Sequence, residues 1–168
     1  MQVLIKTIDK IIDKQGEISS FAIYPLIFIV LYEVLMRYAF NTPTIWGFEA
    51  TAFVYGIHYM LGLSYTERHN GHVKVDIITS RLSPKAQAIM GVITYVGIFL
   101  PVYFLMTVGA FRYAYTSTVE GELNSTSWAP PIWPLKIIMA LSFLFLLFQG
   151  FCTLLKHIQT IRGRENPA

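Results

Sequence analysis

Four ionisable side chains, Glu33, Arg37, Glu49 and His58, fall inside long apolar runs, where a surrounding bilayer offers them no water. A charge at mid-span costs roughly 2.5–3.5 kcal/mol on insertion scales, so each such residue needs a partner or a task. Glu33 and Arg37 are four apart, which stacks them on one helical face within pairing reach. Paired, they neutralise each other and brace their helix; left alone, Glu33 would be an ion- or proton-coupling carboxylate. The spacing favours the brace. Glu49 opens the second run, where the positive end of a helix dipole welcomes an anion. It shares a face with Ala52 and Gly56, small residues that admit another helix closely. Arg37 and Glu49 fall at matching depth on consecutive runs, so an interhelical pair between them is expected. His58 is the only histidine within a run, and a haem b site needs two histidines facing each other. We expect it to hydrogen-bond within or between helices.

The connecting segments hold the remaining candidates. Arg68, His69, Asn70, Gly71, His72 and Asp76 follow the second run. His69, His72 and Asp76 are of metal-ligating type, but no second cluster completes a site. A tight turn through Asn70 and Gly71, then an amphipathic segment bearing Val75, Ile77, Ile78 and Leu82, is the simpler reading. Residues 113–136 contain Glu120, Glu122, Asn124, Trp128 and Trp133 with several prolines, the composition of an ordered cap and a candidate surface for partner contact. Asn124, Ser125 and Thr126 match the glycosylation triplet, a pattern common by chance. No nucleophile–base pair, phosphate loop or paired-carboxylate site occurs, so an enzyme is not expected, nor a metal or cofactor. Cys152 is the single cysteine and has no partner for a disulfide within the chain.

The elements that must position these residues follow from composition. Of 168 residues 54% are hydrophobic and 14% charged, with mean hydropathy +0.51. A soluble domain of this size needs more polar surface than that. Four apolar runs, about 21–40, 48–65, 86–111 and 135–155, each approach the roughly 20 residues of helix that cross a hydrocarbon core. Backbone groups in lipid must be satisfied within the segment, which predicts an all-α membrane protein of four spans in a single domain. Pro25 and Pro101 fall inside runs and predict kinks. The third and fourth runs carry no charge from residue 86 to 111 and from 137 to 155, and read as apolar on every face. Residues 3–17 place Leu4, Ile8, Ile11 and Ile12 toward one face, with Lys6, Asp9, Lys10, Asp13 and Lys14 on the others, the pattern of a short interfacial helix. No cleavable signal is expected at the N-terminus.

Lysine and arginine placement orients the chain. Lys6, Lys10, Lys14, Arg68, Lys74, Arg81, Lys85, Lys156, Arg162 and Arg164 gather on one side, against Arg37, Arg112 and Lys136 on the other. Both termini are therefore expected in the cytoplasm. Trp46, Trp128 and Trp133 all fall on the outer side, as an interfacial belt requires. The net charge of +3 is not gathered into a stripe that could follow nucleic acid.

Residues 37–82 resemble the small membrane subunit of tripartite ATP-independent periplasmic (TRAP) transporters, the DctQ-like or SiaQ-like family. The resemblance rests on Arg37, Tyr38, Ala39, Phe40, Asn41, Pro43, Trp46 and Glu49, then Tyr55, Leu61, Gly62, Arg68, Gly71, His72, Val75, Asp76 and Leu82. It implies a multi-pass subunit of the bacterial inner membrane that scaffolds a much larger elevator subunit. That larger subunit would hold the sodium and carboxylate-solute sites, fed by a periplasmic binding protein. Membrane lipids and these two proteins are the implied partners, and sialic acid or C4-dicarboxylates the implied solutes. Glu33, Arg37, Trp46, Glu49, Arg68, His72 and Asp76 become candidate structural or inter-subunit residues. Glu120, Glu122, Trp128 and Trp133 become candidates for touching the binding protein. A rival of another class is a self-sufficient homodimeric, proton-coupled exporter using Glu33, against which stand Arg37 one turn later and the N-terminal amphipathic segment.

Overall fold

The computed structural model describes residues 2–72 and 82–163, and within these the chain is a bundle of helices. In order they are α1 (Gln2–Ser20), α2 (Ile23–Tyr38), α3 (Gly47–Arg68), α4 (Pro84–Thr94), α5 (Leu100–Glu120) and α6 (Trp133–Ile161), with a π-helical turn, Tyr95–Phe99, joining α4 to α5. Among the described residues three helical stretches are long and apolar enough to cross a membrane: Gln2–Tyr38, Pro84–Glu120 and Trp133–Ile161. The chain is thus an all-α, multi-pass membrane protein. Helix α3 is long enough but carries Glu49, His58, Glu67 and Arg68, which dilute its apolar character.

Local sequence explains the boundaries. Pro25 cannot donate a backbone hydrogen bond, and the α1–α2 break falls at residues 21–22, just before the first turn of α2 that contains it. Pro101 also lacks an N–H, but there the helix does not break. The π turn just before it absorbs one extra residue, with the Leu100 amide reaching back to the Tyr95 carbonyl. Helix α3 ends on Asn70 at φ 54°, with the Asn70 amide donating to the Glu67 carbonyl at 3.2 Å and the Gly71 amide to Thr66 at 2.9 Å. This doubly bonded left-handed terminus is the turn that Asn70-Gly71 predicted. Helix α5 ends the same way on Gly121 at φ 60°. The amphipathic segment expected at residues 73–81, with Asp76 in it, lies outside the described residues.

Helix α6 is the axis of the bundle, packed against α1, α3, α4 and α5. Its crossing with α5 is closed by Ala110, Ala114 and Ala140, whose small side chains let the backbones approach, with Ile137 and Phe143 filling the flanks. The buried side of α6 is not apolar throughout, contrary to the reading of its sequence: Ser142 and Gln149 are enclosed there, as is Thr107 on α5. Ser142 and Thr107 return their hydroxyls to carbonyls one turn back, at 2.8 and 2.7 Å. Helix α2 packs on α3 and buries none of its residues, leaving Phe28, Leu31 and Leu35 to lipid or another protein.

Helix α1 is more than a float on the surface. Ile5, Ile12, Gly16 and Ser19 are buried, while Leu4 and Ile11, expected beside Ile12, remain half exposed. The Tyr65 ring of α3 lies where a Cβ on residue 16 would sit, so only glycine permits this approach. Gln15 reinforces it, donating to the Leu61 carbonyl at 2.8 Å and accepting from the Ser64 hydroxyl at 3.0 Å. Gly16→Val should force α1 off α3 at an overpacking cost of about 1–3 kcal/mol. A lowered melting temperature and faster proteolysis of the first 20 residues are expected; unchanged values would mean that the close approach is not needed.

Candidate functional site

The ionisable groups gather at the two ends of the bundle, and each end is a separate construction. At the end bearing the tryptophans, Arg37 donates to Glu33 at 2.8 Å, as the four-residue spacing predicted. The second carboxylate oxygen of Glu33 accepts from both the backbone N–H of Thr44, at 3.3 Å, and its hydroxyl. The same hydroxyl oxygen accepts from the Gly47 amide at 3.0 Å, so Thr44 satisfies an orphan donor at the start of α3 while holding Glu33. Trp46 stacks on Tyr32 with ring centres 5.7 Å apart. The link between α2 and α3 is therefore closed by one carboxylate and one ring pair.

Glu49 does not meet Arg37. Arg37 is satisfied within its own helix, and Glu49, 8% exposed, accepts from the side-chain amide of Asn124 at 3.1 Å. The bond joins α3 to the segment between α5 and α6. That segment is itself pinned: the Asn124 amide donates to the Pro130 carbonyl at 2.8 Å and Ile132 to Glu122 at 3.1 Å, narrowing the loop to a hairpin with a single bridge between Leu123 and Pro131. Lys136, 7% exposed on the first turn of α6, donates to the Glu122 carboxylate and lies 3.7 Å from the Tyr113 ring centre. The candidate cap residues thus divide: Glu122 is tied down, while Glu120 and Trp128 face outward and Trp133 is half-buried.

At the opposite end, three helices are joined by charge. Asp9 of α1 receives Lys156 of α6 at 2.9 Å and lies 3.6 Å from Arg68 of α3. Asp13 receives Arg68 at 2.7 Å and faces His69 at 3.2 Å. Of this group the sequence offered His69 only as a residue of metal-ligating type, and Arg68 as a structural candidate. Its partners lie 55 or more positions away and carry no local pattern that would reveal them. His58 donates its Nδ1–H to the Ser19 carbonyl at 2.8 Å, the interhelical bond expected of it, and a carbonyl can only accept. Glu67, which the sequence reading passed over, is 5% exposed; it accepts from the Tyr95 hydroxyl, and His72 stands 3.8 Å from its other oxygen. At the polar end of α3, beside Arg68, Glu67 carries no sequence signal that sets it apart from a solvated charge. His69 and His72 turn to different carboxylates, and no metal-ligating cluster forms among the described residues.

The arrangement can hold helices in register; among the described residues its acids are bonded to donors that join segments of this chain. One consequence is testable through pH. The Lys136 ammonium holds the Glu122 carboxyl below its ordinary value near 4.5. The pair's contribution is therefore complete above that value and is lost as pH falls through the lower folded one. Tryptophan emission should report opening of the cap below about pH 4.5 in the wild type. Glu122→Gln should already show the loosened signal at neutral pH and lack that transition. Superimposable profiles for the two proteins would remove the pair from any role in ordering the cap.

Comparison with known proteins places this architecture. Residues 26–160 match the family described as Tripartite ATP-independent periplasmic transporters, DctQ component. A curated relative, the C4-dicarboxylate TRAP transporter small permease protein DctQ of Vibrio cholerae serotype O1, is 25% identical over 97 residues, covering 58% of this chain and 41% of that protein. The aligned stretch is thus less than half of the relative's length. A family match across most of the helical bundle carries the assignment where this shorter alignment could not: the chain belongs to the DctQ component family of TRAP transporters, a family of transporter subunits and not of enzymes.

Proposed function

We propose that this chain is the small permease subunit of a sodium-driven TRAP transporter for carboxylate solutes, acting as a static scaffold for a large elevator subunit. The observation that supports a scaffold most directly is the use made of its carboxylates. Glu33, Glu49 and Glu122 at one end, and Asp9, Asp13 and Glu67 at the other, are each engaged by donors from this same chain. A coupling carboxylate must exchange partners during a cycle; these join helices. Glu33, held by Arg37 and by both donors of Thr44, is poorly suited to the proton-coupled exporter alternative.

On this reading α2, α3, the α4–α5 helix and α6 are four spans of a single domain in the bacterial inner membrane, with both termini cytoplasmic. The side of α2 that this chain leaves uncovered would rest on the large subunit. The cap, with Trp128, Trp133 and Glu120, and the neighbouring Trp46 would face the periplasmic binding protein. Arg37, Glu49, Arg68 and His72 would act by keeping the scaffold rigid. The relative is named for C4-dicarboxylate transport, which makes that class the first to try, with sialic acid the second.

Purification of the chain from its native membrane in mild detergent should recover one large polytopic protein in roughly equal amount. Recovery of this chain alone, active in liposomes, would overturn the proposal. Within the complex, Arg37→Ala should lower the maximal rate of solute uptake, in proportion to the loss of assembled complex, with unchanged apparent affinity. Normal assembly with altered affinity alone would instead place Arg37 in solute recognition.

A further inference from the structure

Among the described residues Lys6, Lys10 and Lys14 make no ion pair to another helix. The two aspartates of the helix, Asp9 and Asp13, turn inward to Lys156 and Arg68. Among the described residues Lys6 and Lys10 have no acidic partner, and Lys14 meets Glu17 only at 3.7 Å, both side chains being largely exposed. Helical geometry divides α1 into sectors of 100° per residue. Ile5, Ile12, Gly16 and Ser19 mark the side against the bundle. On one flank lie Leu4, Ile11 and Ile18, 50%, 50% and 61% exposed, and on the other Asp9 and Asp13. The edge farthest from the bundle carries Val3, Lys10 and Lys14, so two ammonium groups stand where the apolar flank ends. Val3, Lys6, Lys10, Ile11, Lys14 and Ile18 line one shallow depression of about 780 Å³.

We propose that this outer edge of α1 binds an anionic phospholipid of the adjoining leaflet. Its phosphate would sit between the Lys10 and Lys14 ammonium groups, with Lys6 nearby and the upper acyl chain against Ile11 and Ile18. Lysine stems lie along apolar surface while their charges reach outward, which suits a phosphate at headgroup depth. A zwitterionic headgroup brings its own cation to the lysines and gains less. The acidic surface of a protein would match the charge, but the exposed isoleucines beside the lysines call for a ligand anionic at one end and hydrocarbon at the other. Segregation of the charges makes the site possible. Had Asp9 and Asp13 faced outward, they would have cancelled the lysines.

The test uses the purified full chain in mixed micelles of equal phosphatidylglycerol and phosphatidylcholine, with retained lipids counted by native mass spectrometry. The wild type should retain phosphatidylglycerol preferentially, and the preference should weaken as salt is raised. Lys10→Gln with Lys14→Gln should reduce it by roughly fivefold per lysine removed, and Lys10→Arg with Lys14→Arg should keep it. Both pairs lie on the exposed edge, and matching melting temperatures establish that the fold is intact. Equal retention of the two lipids by the wild type, or undiminished preference in the glutamine variant, overturns the proposal. So does protection of these lysines from amine labelling only when a second protein subunit is present, which assigns the edge to a protein. The lipid counts are made on this chain alone, and protection by a second subunit would itself agree with the transporter reading, so failure here leaves that reading standing.

Discussion

The constraint on which the rest of the structure depends is the cost of a charge beside a bilayer. Hydrocarbon cannot solvate an ion, so a helix keeps a carboxylate near it by supplying donors or by placing it where water reaches. This chain uses both means. Its charges are drawn to the two ends of the bundle, and at each end they are spent on joining helices that would otherwise share only apolar contact. In lipid that joining matters more than in water, because burial of apolar side chains gives little drive for one helix to prefer another over a lipid tail. Small residues at Ala110, Ala114 and Ala140 let α5 and α6 touch, but directional contacts fix which helix meets which.

The two ends solve that problem differently. At the tryptophan-bearing end the bonds are short in sequence or run through the cap: Glu33 to Thr44, Glu49 to Asn124, Glu122 to Lys136. Each secures a connecting segment to the helix beside it, so the cap becomes part of the bundle. At the other end Asp9, Asp13, Arg68 and Lys156 join the first, third and sixth helices directly. Helix α1, amphipathic and of little stability alone, is thereby made a fixed strut. Its lysines are then presented at a constant height and angle, which a frayed helix could not do.

How far the sequence reveals this depends on the range of each interaction. The apolar helices are legible because every turn repeats the same signal. The Glu33–Arg37 pair is legible because helix geometry fixes which residues one turn apart must meet. The expected Arg37–Glu49 pair failed for a reason sequence does not carry: matching depth on adjacent helices says nothing of rotation, and Thr44 and Asn124 were better placed to reach the two acids. The Asp9–Lys156 bond spans 147 positions and has no local trace. Gln149 escaped notice because it is uncharged and scarcely lowers the hydropathy of α6, although it is fully enclosed. In α1 the helical period was legible, but the side formed by Ile5, Gly16 and Ser19 against the bundle was not. Apolar residues lie on two sides of that helix, one meeting the bundle and one turned away, and a single amphipathic axis cannot describe both.

A helix with an exposed charged edge and one that is braced against a bundle make different demands on sequence, and α1 meets both. Its acids must fall within reach of Arg68 and Lys156, its glycine must fall beneath Tyr65, and its lysines must avoid both. With 3.6 residues per turn these requirements fit together because the residues of each kind recur every three or four positions: Asp9 and Asp13; Ile12, Gly16 and Ser19; Lys6, Lys10 and Lys14. Three interleaved stripes of that kind are unnecessary for a simple membrane float, where one apolar and one polar face suffice. They suit a part that transmits position, fixed to the rest of the bundle on one side and exposed on the other.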